Sequence, residues 1–189
     1  MKTRIISLLL IMLFVNSVQA REIAGVQIDE TVMVPGVVEV LHLNGAAIRS
    51  KFFFKIYVAA LYVTETSNSA DNLLASTSAK RMVMYMLYDE VEKEKLTKAW
   101  IEGFDKNMGT ADFIAMKPRL NQFNDMFSTM RKNDVAMMDY VPGVGTRVTI
   151  RGEDKGVVEG ADFYRALLSV WIGKEPATDD VKEGVLGKS

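Results

Sequence analysis

Cysteine is absent from the 189 residues. The chain therefore has no disulfide framework, no thiol nucleophile and no cysteine for a lipid anchor. Histidine occurs once, as His42 in a strand-like segment. A metal site would need partners for it that the sequence does not offer, so a structural histidine is the plainer reading. No nucleophile-elbow sequence is present. The glycine-rich "PGVGTR" lacks the phosphate-loop pattern and sits between two strand-like runs, where a hairpin turn suffices. No block of lysine and arginine occurs, and the formal net charge is −1. Nucleic acid is not indicated as a partner, and the overall balance gives no reason to expect an anionic surface.

One long apolar run is present, from Ile5 to Val15, and it falls short of the roughly 20 residues a membrane span needs. Lys2 and Arg4 precede it and Ser17-Val18-Gln19-Ala20 follows it. That is the charged start, apolar middle and small-residue end of a signal peptide, with cleavage expected after Ala20. Residues 1–20 are then the signal peptide and 21–189 the folded domain, exported to the periplasm with no integral membrane segment left. Losing Lys2 and Arg4 leaves 21 basic side chains against 24 acidic ones, a net charge of −3.

What the mature chain does have is ample material for a core, with 49% hydrophobic and 25% charged residues. "AGVQIDETVMVPGVVEVLHLNG" reads as two short strands and a longer one, turned at Pro35-Gly36 and broken at Gly45. Lys51 to Val63 is the strongest strand signal. A short helix follows, begun by Ser69 or Asp71, then a strand from Lys80 to Tyr88, apolar on both faces. Leu96, Trp100, Phe104 and Met108 recur at helical spacing, and Gly109 ends that helix. Thr110 caps the next, whose stripe runs from Phe113 through Phe127 to Met130, with Pro118 expected to kink or split it. Strands return from Asp134, with turns at Pro142-Gly143 and at 152–155. Ala161 to Gly173 is an amphipathic helix, and the tail from Asp179 is a short helix at best. Strands and helices are segregated, so the fold class is α+β with a mostly antiparallel sheet.

The segment "LNGAAIRSKFFFKIYVAALYV" combines core-like residues with Arg49, Lys55 and Tyr57. Alternation puts Phe52, Phe54, Ile56, Val58, Ala60 and Tyr62 on one face and Phe53, Lys55, Tyr57, Ala59 and Leu61 on the other. A strand this apolar reads as central, so Lys55 and Tyr57 point into covered space. There they need partners, water or a cleft. A structural account has Lys55 reaching an edge and Tyr57 donating to a backbone carbonyl. A functional account has a cavity with polar groups at one end and apolar walls, to which Met82, Met84 and Met86 would add an adaptable lining.

That segment, with "AWIEGF", "YVPGVGTRVTI" and "GADFYRALLSVWIG", resembles the chalcone isomerase-like family in its bacterial exported branch, over roughly residues 25–187. The resemblance implies an open-faced β-sandwich, a large antiparallel sheet covered on one side by helices, with a ligand cleft between. In the catalytic branch an arginine polarises the reacting ketone; in fatty-acid-binding relatives the matching arginine and a tyrosine hold a carboxylate. The arginine falls on Arg49. Tyr57 stands where the catalytic branch has threonine and is similar to the tyrosine of the binders. The region 89–98 also lacks the tyrosine the catalytic branch carries there. The resemblance thus implies a non-catalytic binder of a small apolar acid, with Arg49, Tyr57, Lys55 and Tyr85 as candidate ligand-binding residues and no cofactor or metal. An intramolecular lyase using Arg49, or an interaction module with a vestigial cleft, are the alternatives. Independently of any family, arginine's fixed fork of donors beside a phenol, with apolar walls beyond, suits an amphipathic acid.

Overall fold

The computed structural model describes residues 20–188; the expected signal segment lies almost wholly outside them. Two short strands, β1 (Ala20–Ile23) and β2 (Val26–Asp29), form a hairpin over Ala24-Gly25, both at positive φ. The main sheet has seven antiparallel strands in the order β11-β10-β9-β6-β5-β4-β3. They are β3 (Thr31–Val32), β4 (Leu41–Lys51), β5 (Phe54–Val63), β6 (Lys80–Met86), β9 (Val135–Val141), β10 (Gly145–Ile150) and β11 (Glu153–Val158). A two-stranded ribbon, β7 (Glu90–Val91) with β8 (Met130–Arg131), flanks it.

The helices are α1 (Ala70–Ala75), α2 (Lys93–Asn107), α3 (Thr110–Asp125), α4 (Ala161–Ile172) and α5 (Asp179–Val185). They cover one sheet face. Tyr57, Ala59 and Leu61 of β5 and Met82, Met84 and Met86 of β6 join Trp100, Phe104, Phe123, Phe163 and Trp171 in the larger core. The opposite face carries Val58, Ala60, Tyr62 and Val83 under Ile28 and Val34, so the N-terminal hairpin and the loop after β3 cover part of it. That face also holds a buried bidentate pair. Arg81 Nε and Nη2 donate to the Asp139 carboxylate at 2.6 and 2.7 Å across directly paired strands.

Four local expectations are corrected. Lys51–Val63 is not one strand: Phe52 and Phe53 form the turn of the β4–β5 hairpin, 85% and 100% exposed, and Phe54 is 56% exposed. Three aromatic residues in sequence read as core, but the chain reverses there and leaves all three largely exposed. Gly45 does not end a strand; it lies inside β4, where α5 crosses so closely that a Cβ would overlap the Gly184 carbonyl oxygen. Gly109, not Thr110, occupies the N-cap of α3, and α2 has already ended at Asn107. Pro118 sits inside an unbroken α3, which stops at Asp125, leaving Phe127 buried in the following loop and Met130 in β8. Ser69 does cap α1, its side chain accepting from the Asn72 N–H at 3.3 Å.

Candidate functional site

A cleft of about 380 Å³ opens between the sheet and the helices. That volume lies within the range of small-ligand sites, roughly 300–1,000 Å³. Ile56, Tyr57, Met84 and Met86 form its sheet wall; Leu96, Ala99, Trp100 and Gly103 of α2 face them. Val170 of α4 and Pro176-Ala177 of the loop after it close a third side. Gly103 is small for a reason: a Cβ there would press on the Val170 methyl groups, so α2 and α4 meet at this point. Phe52, Phe54 and Tyr88 stand at the hairpin end, Phe54 and Tyr88 packed edge to face at 5.4 Å.

A β-bulge makes the site. The register between β4 and β5 shifts between Arg49 and Ser50, so that Arg49 pairs with Tyr57 while Ser50 pairs with Lys55. Ile56 is the extra residue, and consecutive Ile56 and Tyr57 both reach the helix side. Bulges re-aim side chains in this way. Lys55 is thrown to the outside and is exposed. Its placement in covered space, and in the site, is therefore corrected: strict alternation fails at the bulge. Tyr85 is likewise outside the cleft, because it faces the opposite side of β6 with Val83, against Tyr62. Of the four candidate residues, the structure brings Arg49 and Tyr57 together in the cleft and leaves Lys55 and Tyr85 elsewhere.

Tyr57 is 6% exposed, and its phenol oxygen accepts the Trp171 indole N–H at 3.1 Å. Burial raises its pKa, against the opposing pull of the Arg49 charge and the Trp171 bond, so the phenol is neutral and keeps its proton. With an oxygen lone pair committed to Trp171, that proton remains available to an acceptor in the cleft. The Arg49 guanidinium lies 5.9 Å from the centre of the Tyr57 ring and is half-buried. Among the described residues no carboxylate sits within ion-pair distance of Arg49, nor of Lys51 or Lys106 at the rim. Three glutamates also line the cleft: Glu90 is held by Arg131 at 2.8 Å, Glu102 lies 3.8 Å from Lys98, and Glu175 has no ion-pair partner among the described residues. The cleft thus offers uncommitted donors of positive charge and a neutral hydroxyl, set in apolar walls. Such a set holds an anion by its oxygens and a hydrocarbon body by contact.

Two contributors escaped sequence reasoning. Trp171 lies on the amphipathic helix read from Ala161, now α4, but nothing local couples it to Tyr57, 114 residues away. Glu175-Pro176-Ala177 lies between the segments read as helical; it is held to α4 by the Ala177 N–H donating to the Val170 carbonyl at 2.7 Å.

Comparison with known proteins fits this geometry. The family model described as chalcone isomerase-like matches residues 20–187. A crystal structure of an Arabidopsis thaliana fatty-acid binding protein superposes with a TM-score of 0.65, covering 83% of this chain and 96% of that one, at 16% identity. At that identity the likeness is one of fold. None of the curated proteins matches the chain.

Proposed function

Because this chain belongs to the chalcone isomerase-like family, we propose that it is an exported, periplasmic, non-catalytic carrier of a fatty acid or similar small apolar acid, gripped by Arg49 and Tyr57. One observation carries this reading: an arginine without a carboxylate partner among the described residues stands beside a buried, neutral tyrosine whose proton is uncommitted, in a largely apolar cleft. Leaving a guanidinium half-desolvated with no partner is unfavourable, and a ligand carboxylate relieves it. The fatty-acid binding protein of similar fold lends support by analogy. Arg49 could also stabilise a developing oxyanion, as an isomerase requires. Proton transfer would then need a poised acid or base, and the raised pKa of Tyr57 makes it a hydrogen-bond donor rather than a base.

The experiment is native mass spectrometry of the protein purified from its own host, followed by extraction of whatever it carries. The expected result is a protein beginning at Arg21 that releases an amphipathic monocarboxylic acid. A chain retaining its first 20 residues would contradict export with cleavage. Acceleration of chalcone cyclisation, followed by loss of chalcone absorbance, would contradict the non-catalytic assignment.

A further inference from the structure

The β4–β5 hairpin tip is built against the needs of folding. Phe52 and Phe53 form a two-residue turn and are 85% and 100% exposed, with Phe54 at 56%. Phe52 holds φ at +55°, a conformation in which glycine or asparagine is ordinary and a bulky side chain is strained. Exposed apolar clusters of this kind mark interaction sites. The flanking residues share one sign: Arg49, Lys51 and Lys55 surround the three phenylalanines with no acid between them. None of the three has a carboxylate within ion-pair distance among the described residues.

We propose that this tip is a wedge that docks the protein on an anionic lipid surface. The phenylalanines enter the interfacial layer and Lys51 and Lys55 meet the lipid phosphates. Aromatic rings favour the membrane interface, and each basic residue near an anionic leaflet strengthens attachment. A lipid surface fits better than a folded partner because the tip is a narrow convex turn. A fluid layer closes around such a shape, whereas a protein would need a matching pocket. The small negative net charge of the chain hides this local excess of cations. Phe52, Phe54 and Lys51 also line the cleft mouth, so docking would set the opening against the bilayer from which an amphipathic acid is drawn. That last role rests on the proposed function; the docking itself does not.

Phe53 and Lys55 are exposed and do not line the cleft, which makes them the residues to change. The assay is flotation of the mature protein with vesicles containing phosphatidylglycerol and, separately, with phosphatidylcholine alone. Wild type should float with the anionic vesicles and release as salt rises. Phe53→Ser and Lys55→Glu should each weaken binding roughly tenfold, with melting temperature and fatty-acid affinity in vesicle-free solution unchanged. Wild type that stays with the lipid-free fraction, or Phe53→Ser that floats as well as wild type, overturns the proposal. Equal flotation with phosphatidylcholine overturns its electrostatic part. A wild-type dimer, seen by sedimentation and lost in Phe53→Ser, overturns the proposal and makes the tip a contact between copies. Flotation with no acid bound in solution would sink the carrier function and leave the docking standing.

Discussion

Tyr57 serves two masters: its oxygen accepts from Trp171 and its ring lies beside Arg49. Removing the hydroxyl therefore does more than weaken a ligand. In Tyr57→Phe the Trp171 indole N–H, fully buried, loses its acceptor. An orphaned buried donor costs about 1–3 kcal/mol. At about 2–4 °C per kcal/mol for a chain of this size, thermal melts of the ligand-free variant should fall by roughly 2–12 °C. An unchanged melting temperature would show that the Trp171 bond is not formed in solution. Arg49 was legible as a candidate, since an arginine beside an aromatic run has no obvious folding role, and the structure places it in the cleft. Lys55 was not separable from Tyr57 by sequence, because the bulge that parts them is announced by no residue type. Tyr85 sits on the other face of regular β6 from Met84 and Met86, as alternation along that strand already requires.

Among the elements, β4 and α5 show why a glycine was misread. Gly45 looks like a strand breaker, yet it is where backbone meets backbone: a Cβ would also approach Gly187 N at 2.8 Å and Val185 C at 2.9 Å. Gly184 repeats the motif from the helix side, facing Ala47. The Asn44 side chain ties the same pair of elements, donating to the Val185 carbonyl at 2.7 Å. Overpacking of this kind costs about 1–3 kcal/mol or more. Gly45→Ala should therefore lower the melting midpoint by at least about 2–4 °C and loosen α5, read as faster amide exchange in Asp179–Val185. A variant as stable as wild type would mean that α5 does not sit on β4. The helices themselves were legible from their stripes. Their ends were less so, because Phe127 and Met130 continue the α3 pattern after the helix has stopped.

For the whole molecule, Lys80 and four tyrosines predict a stability that depends on pH. Lys80 is 2% exposed, and its ammonium donates to the Ser76 and Ser78 carbonyls at 2.6 and 2.9 Å. Burial first, and then the charge of Arg165, push its pKa down to about 8 from an ordinary 10.5. Between those values the unfolded chain holds a proton that the folded chain has released, so stability rises with pH through that window. Above about 10 the opposite sign takes over. Burial raises Tyr57, Tyr62, Tyr85 and Tyr164, so the unfolded chain loses their protons first and stability falls. Melting curves should climb above pH 8 and turn down past about 10, and Lys80→Met should lack the climb. A climb that survives in Lys80→Met would assign it to other groups. At this scale the α+β class and the antiparallel sheet were legible from the segregation of strands and helices. The partial cover on the second sheet face was not, since it comes from short strands with weak alternation, β1 and β2.

In the proposed carrier, Arg49 holds a carboxylate while the cleft holds its hydrocarbon. Calorimetry with a fatty acid and the fatty alcohol of the same chain length, on wild type and Arg49→Ala, separates those two parts. Wild type should prefer the acid, and Arg49→Ala should lose about 2–5 kcal/mol for the acid, roughly 30-fold to several thousand-fold in affinity. It should bind the alcohol nearly as wild type does, because the apolar walls are untouched. Equal losses for acid and alcohol, or no loss for the acid, would contradict the account and make Arg49 a structural residue.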